Sequence, residues 1–288
     1  MALKDSNLIA LAQENDFIST DGYLNFSRQN EDFLYQKRDF LFRSGVWREE
    51  PRKALLRQGN GLFKAVIVGH SDCYLDPWQA RLLRIRGIRR IFATNATPFK
   101  DLVKAIPQGL TNNCDDSPLH RILGNTEHFL AAWSKQPSRD LFSGSCYVNF
   151  SIDTSLSVRS PVVEVARSVP SSVFQRYEMT DEGRSLYLQD LRKYNFVLCP
   201  SGNGMDTVRV WETLYMGGYP IVTRTPYMQA ILKDLPVVWV NKWEEITKED
   251  FLEKSWKDLG SGVHDVDRLR LSWWKNFMFS EVNSADTA

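Results

Sequence analysis

The chain has 288 residues, enough for about two domains of ordinary size. Hydrophobic residues make up 43% and charged residues 25%, a soluble globular composition that excludes wholesale disorder. Lys and Arg number 36 against 35 Asp and Glu, a net charge of +1, which argues against whole-chain electrostatic binding to nucleic acid or an anionic membrane. No apolar run approaches the roughly 20 residues of a membrane helix. The first sixteen residues, MALKDSNLIALAQEND, break their apolar stretch with Gln and Glu and do not read as a signal peptide. Cys73, Cys114, Cys146 and Cys199 lie far apart with no C-x-x-C, so they read as reduced thiols of a cytoplasmic protein.

In chain order, the pattern predicts a helix around Asp32–Ser44 and then a buried parallel strand, Lys64–Gly69, whose continuous apolar run ends in Gly. Pro77–Arg86 reads as a helix that starts on Pro, and Arg90–Thr94 as a second strand, so this half opens as a βαβ unit. Ile106–Ser117 reads as a surface loop and Thr126–Ser134 as a helix. Residues 135–145 (KQPSRDLFSGS) read as a linker. Beyond it the pattern gives a strand at Cys146–Phe150, a helix at Pro161–Arg167, a strand at Ser172–Tyr177, a helix at Ser185–Lys193 and a strong strand at Tyr194–Pro200. A helix at Asp206–Met216 closes on Gly217-Gly218, followed by strands Pro220–Thr223 and Val237–Val240. Asp265–Phe279 reads as a helix rich in Trp and Leu that packs back on the body. The expected division is therefore 1–137, 138–264 and 265–288: two Rossmann-like α/β domains and a returning helix.

The stretch Tyr194–Arg224 is the most informative. A buried strand ends in Cys199-Pro200, and Ser201-Gly202-Asn203-Gly204 leads into a helix. Glycines there allow positive φ and close backbone approach to a ligand. A helix N-terminus at the carboxyl end of a strand is where an open α/β sheet binds phosphate. Arg209, in the first turn, can grip a diphosphate with two parallel hydrogen bonds. Glu212, three residues on, can accept from a ribose diol; an ordinary i,i+3 surface ion pair is the plain alternative.

Pro200, Gly202, Gly204, Asp206-Thr207, Arg209, Trp211-Glu212 and Gly218–Val222 together resemble the donor-binding signature of exostosin-like, family-47-type glycosyltransferases, and more loosely the nucleotide-binding half of fucosyltransferases. The resemblance covers the second half of the chain and only the layout of the first. It implies the GT-B architecture, with two Rossmann-like domains facing a cleft. It implies a nucleotide-sugar donor in the C-terminal half, an oligosaccharide or glycan acceptor in the N-terminal half, inversion at the sugar, and neither metal nor other cofactor. A UDP-sugar, xylose or glucose, is the expected donor. A GDP-fucose-type transferase and a non-catalytic sugar- or nucleotide-binding protein are the alternatives. Exostosins proper carry a membrane anchor, and the lack of one here points to a soluble bacterial or viral relative.

In that layout Ser201, Gly202, Asn203, Gly204, Asp206, Thr207, Arg209 and Glu212 bind the donor. Arg159, in the loop after Asn149–Thr154, is a second phosphate ligand. Ser171–Glu178 lines the base pocket, with Phe174 or Tyr177 beside the base. An inverting reaction needs a base for the acceptor hydroxyl. Asp72, just past the strand Lys64–Gly69, is the first candidate, with His70 and Asp76 as alternatives. The loop carrying Asn112, Asp115 and His120 is an acceptor-contact candidate; its Asp115-Asp116 pair is not a D-x-D metal motif.

Overall fold

The computed structural model describes residues 5–31, 42–44, 65–69, 75, 77–85, 88–96, 98, 102–113, 117–135 and 144–285. These build two wholly parallel sheets with helices around them. The first sheet runs in sequence order: β1 (Phe42–Ser44), β2 (Ala65–Gly69), β3 (Arg90–Ala93) and β4 (Val103–Ala105). Before it come α1 (Asp5–Gln13) and α2 (Thr20–Glu31); α3 (Pro77–Ile85) connects β2 to β3, and α4 (Pro118–Leu123) and α5 (Glu127–Lys135) follow β4.

The second half runs β5 (Cys146–Val148), α6 (Leu156–Arg167), β6 (Ser172–Phe174), α7 (Asp181–Lys193), β7 (Phe196–Leu198), α8 (Val208–Tyr215), β8 (Tyr219–Thr223), α9 (Pro226–Ile231), β9 (Val238–Val240), α10 (Phe251–Ser261) and α11 (Leu271–Ala285). Its strand order is β6-β5-β7-β8-β9. The winding therefore reverses between β5 and β7, and ligands of open α/β sheets bind at the carboxyl ends of such a pair.

Strand periodicity explains the packing. In β2, Ala65 and Ile67 face one way and Val66 and Val68 the other; in β7, Val197 opposes Phe196 and Leu198. The inner faces of both sheets feed one central core, together with Leu8, Leu11, Phe129, Leu188, Trp211 and Trp274. The outer faces form separate clusters under α3 and under α6 and α10. The two sheets lie on either side of residue 137, yet the central core is common to both.

The C-terminal helix returns to the first half. Phe279 sits edge-on to Phe26 at 5.1 Å, and Glu281 pairs with Lys104 at 3.1 Å. Asp16 fixes the start of α11 by accepting from Leu271 N (3.1 Å) and Ser272 N (2.9 Å). No described helix is long and apolar enough to cross a membrane.

Several expectations change. Phe42–Ser44 is a strand rather than the end of a helix; the rest of the predicted 32–44 helix lies outside the described residues. Arg159 belongs to the first turn and a half of α6, not to a loop, and Pro161 is accommodated inside that helix. The described thiols, Cys146 and Cys199, are buried and unpaired; Cys73 and Cys114 lie outside the described residues.

The two halves are joined by a buried polar junction centred on Asp206, 3% exposed. Its Oδ2 accepts from Gln108 N at 2.7 Å and its Oδ1 from Trp211 Nε1 at 2.8 Å, while its own N–H donates to Asn95 Oδ1 at 3.0 Å. Asn95, fully buried at φ 51°, holds the left-handed conformation that Asn tolerates. Tyr227 OH donates to Ile106 O at 2.9 Å beside it. Burial, partly offset by the bonds from Gln108 and Trp211, pushes the Asp206 carboxyl up from 3.8 to about 7. Between those two values the folded chain holds a proton that the unfolded chain has released. The stabilising contribution of this proton is full below about pH 4 and declines as pH rises to 7. The stability difference between wild type and Asp206→Asn, measured by urea unfolding, should therefore shift against the wild type from pH 4 to pH 7. A constant difference would show that this carboxyl titrates normally.

Candidate anion-binding and substrate site

At the switch point the chain leaves β5 through 149–155 and β7 through 199–207, and the two loops meet around Arg159. This side chain, 5% exposed, donates from Nη1 to Ser151 O (2.7 Å) and from Nε to Ser201 O (3.0 Å). It therefore staples the two loops through carbonyl oxygens, and no described carboxylate pairs with it. Gly202 is glycine for this reason: a Cβ there would lie 2.9 Å from Arg159 Nη2. Gly204 would bring a Cβ within 2.7 Å of the Asn95 amide. Neither glycine has positive φ; the close approach that requires them is to protein side chains.

Arg209 stands in the first turn of α8, partly buried. Its Nε is buried with no hydrogen-bond partner, and no described carboxylate pairs with the guanidinium. Phe150 lies under both arginines, its ring centre 5.6 Å from the Arg159 carbon and 6.0 Å from that of Arg209. Burial, and then the neighbouring Arg209 charge, lower the Arg159 pKa to about 10, so it remains charged at neutral pH. Burial also opposes the Arg209 charge, but Tyr187, Cys199 and Glu212 outweigh it and hold that pKa above the ordinary arginine value. Next to these groups, the Thr207 hydroxyl at the α8 N-cap is also buried without a partner.

Arg209 faces a hollow of about 550 Å³ of open space, partly open to solvent, walled by Asn149, Tyr177, Glu178, Met179, Arg184, Tyr187 and Glu212, with Thr111 and Leu123 from the first half. Of the residues expected at the donor, the structure brings Tyr177, Arg209 and Glu212 to this hollow. Tyr177 is held by a 2.6 Å bond from its hydroxyl to Asp190 Oδ2. Phe174 is 45% exposed and does not line it. Ser201, Gly202, Asn203 and Gly204 lie behind Arg209, in the loop that Arg159 braces; Asn203 is exposed.

Three expected residues have other commitments. Glu212, 5% exposed, accepts from Arg184 Nη1 at Oε1 and from Tyr187 OH at Oε2, both at 2.7 Å. Both carboxylate oxygens are thus engaged, and Arg209 is not their partner. The Asp206 side chain belongs to the junction between the halves. Asn112 Oδ1 accepts from Thr20 Oγ1 (3.0 Å) and Asp21 N (2.9 Å), fixing the start of α2. His120 is exposed on α4 and lines no described cavity. Asp72, His70, Asp76 and Asp115 lie outside the described residues.

Arg184 and Tyr187 are the wall residues that sequence reasoning missed. Arg184 also donates from Nη2 to Leu123 O (3.0 Å) and lies over the Phe129 ring at 5.5 Å. The available signal was spacing: residues 184, 187, 188 and 191 occupy one face of α7, so the buried stripe has a basic residue at each end, Arg184 and Arg192.

Comparisons with family models and with curated proteins return no match. Among solved structures the chain is similar to a spinosyn rhamnosyltransferase, SpnG, complexed with thymidine diphosphate. The two are 11% identical, and the match covers 97% of this chain and 76% of that one with a TM-score of 0.37. A likeness at that level carries no argument, and the functional reading rests on the residues above.

The two acidic and basic members of the α8 wall separate cleanly by experiment. Glu212→Ala strands the buried Arg184 charge and should cost about 3–5 kcal/mol in denaturant unfolding. Arg209→Ala breaks no ion pair and should cost less stability than Glu212→Ala. It should weaken binding of nucleoside diphosphates about 10–100-fold, the worth of one or two charge-assisted hydrogen bonds. Unchanged nucleotide affinity would remove Arg209 from the site.

Proposed function

We propose that the protein is a glycosyltransferase of GT-B type that moves a sugar from a nucleoside diphosphate sugar to a glycan hydroxyl. One observation carries this reading: two guanidinium groups, Arg159 and Arg209, flank the Phe150 ring at the switch point of a parallel sheet with no described carboxylate paired to either. Such a pair suits a diphosphate. The unpartnered Arg209 Nε and Thr207 hydroxyl are donors in the same place. The adjoining hollow, with Tyr177 on its wall, mixes apolar and polar walls as small-molecule sites do. The resemblance of Pro200–Val222 to exostosin-like transferases supports the same reading and favours UDP as the nucleotide, with xylose or glucose as the sugar.

In the proposed reaction the acceptor oxygen attacks the anomeric carbon. The new C–O bond forms as the bond from that carbon to the phosphate oxygen breaks. The bonding electron pair leaves with the diphosphate, whose growing charge the two arginines stabilise. The acceptor proton passes to a carboxylate, for which Asp72 is our assignment, and the sugar inverts. Arg159 and Arg209 supply the positive charge that a cation supplies in other architectures.

A thermal-shift screen of UDP, GDP and TDP tests the donor reading, since a ligand at 100 times its Kd adds about 2.7 kcal/mol. No shift with any of them would overturn it. Release of free nucleoside diphosphate when an acceptor is added separates an enzyme from a binding protein. Turnover should survive EDTA; full loss on chelation, restored by Mn²⁺, would assign the charge stabilisation to a metal instead. Asp72→Asn should lower kcat by about 10²–10⁴, the usual contribution of a general base, with nucleotide affinity unchanged. Normal turnover in that variant alongside a dead His70→Ala would move the base to His70.

A further inference from the structure

One wall of the hollow beside Arg209 carries a chain of linked polar groups. Asp190 Oδ2 accepts from Tyr177 OH at 2.6 Å, and the same carboxylate meets the Tyr147 hydroxyl. That hydroxyl also accepts from Asn149 Nδ2 at 2.9 Å. Tyr147, in β5, is fully buried, with its ring stacked on Tyr194 at 5.0 Å. Burial, and then the Asp190 charge, raise its pKa, so the phenol keeps its proton.

This chain fixes which way the Asn149 amide points. A carboxylate only accepts, so the one proton of the Tyr147 hydroxyl goes to Asp190. The hydroxyl oxygen then has only lone pairs to offer Asn149, which presents its NH₂ to them and turns its carbonyl oxygen away. Asn149 lines the hollow, and its Oδ1 accepts no hydrogen bond among the described residues. Asn149 is joined to both ends of the site. Phe150, next in the chain, lies under Arg159 and Arg209, and Tyr177 is reached through Tyr147 and Asp190. Glu212, the carboxylate expected to accept from a ribose, has both oxygens filled by Arg184 and Tyr187.

We propose that Asn149 is a specificity-determining residue whose Oδ1 accepts a hydrogen bond from a pentose hydroxyl of a bound nucleoside diphosphate. The proposal rests on the reading of the hollow as the donor site. In a nucleotide the pentose joins the base to the phosphates, and Asn149 joins the Tyr177 wall to the arginine pair. An amide oxygen there takes a hydroxyl proton without adding negative charge beside the diphosphate.

The test is a thermal-shift titration of the full-length protein with UDP, GDP and TDP, each beside its 2′,3′-dideoxy form. The wild type should bind the hydroxyl-bearing form of its nucleotide about three- to tenfold more tightly, the worth of one neutral hydrogen bond. In Asn149→Ala that ratio should fall to about one. Affinity for the dideoxy form should stay at the wild-type value, since Arg159 and Arg209 still hold the diphosphate, and that value also shows the variant to be folded. Equal affinities in the wild type overturn the assignment and leave the donor reading intact. So does the wild-type ratio kept in Asn149→Ala, whether or not both affinities fall together. No shift with any of the nucleotides overturns the donor reading and the assignment with it.

Discussion

The candidate site depends on a carboxylate that pairs with an arginine of another helix and not with the arginine nearest it in sequence. Glu212 sits three residues after Arg209 on α8, the spacing at which an acid and a base ordinarily pair. It instead receives Arg184 from α7 on one oxygen and the Tyr187 hydroxyl on the other. Arg184 thus neutralises Glu212, and Arg209 keeps a charge that no protein group in contact cancels. Arg159 is held in the same condition by a different device. It is anchored by the carbonyls of Ser151 and Ser201, which fix its position without neutralising it. Burial and the neighbouring Arg209 charge disfavour the charged form of Arg159, and an anion beside the two would offset both.

The same contacts tie the site to the rest of the molecule. Arg184 reaches across to Leu123 O in the first half, and Asp181, at the start of α7, meets His128 Nε2 at 2.9 Å. On the other side, Asp206 ends the loop that Arg159 braces and locks it to Gln108 and Asn95. The hollow next to Arg209 is therefore bounded by elements whose relative positions are set by buried polar bonds as well as by the shared apolar core. Polar junctions of this kind are directional, so they specify one arrangement of the sheets where apolar contact alone would tolerate sliding.

Much of this was legible in the sequence because its signals are local. Continuous apolar runs gave β2, β3, β5, β7, β8 and β9, and Pro and Gly punctuated α3 and α8. The loop 199–207 and the arginine that follows it are legible because strand, glycines and helix start are contiguous in the sequence. β4 was missed because three residues, one of them Lys104, carry too short an alternation. α2 was missed because TDGYLNFSRQNE is polar on average; it is held by Asn112 at its start and by α11 at its side. Glu212, Asp206 and Asn112 carry structural bonds that the sequence does not show, for one shared reason. Each has the residue type and position of a ligand contact, and each is satisfied by a partner from a distant segment. Local spacing identifies what a side chain can do, whereas the partner that occupies it comes from the fold.

That distinction bears on which anion the arginine pair favours. A single carboxylate would leave one of the two guanidiniums uncompensated, whereas a diphosphate offers oxygens to both. In the proposed reaction the diphosphate of a sugar donor also gains negative charge when the glycosidic bond breaks, and Arg159, already anchored by Ser151 O and Ser201 O, meets that added charge with little reorganisation. Their interaction is then stronger with the departing group than with the intact donor, which is the condition for lowering a barrier and not merely tightening binding. In the proposed reaction that interaction is strengthened by the partial burial of Arg159 and Arg209 beside Phe150, where water screens them less than at the surface. In the proposed reaction an arginine neutralised by its own neighbour would have less charge to offer as the bond breaks, and the Arg184–Glu212 pair, by engaging both Glu212 oxygens with Arg184 and Tyr187, keeps Glu212 from pairing directly with Arg209.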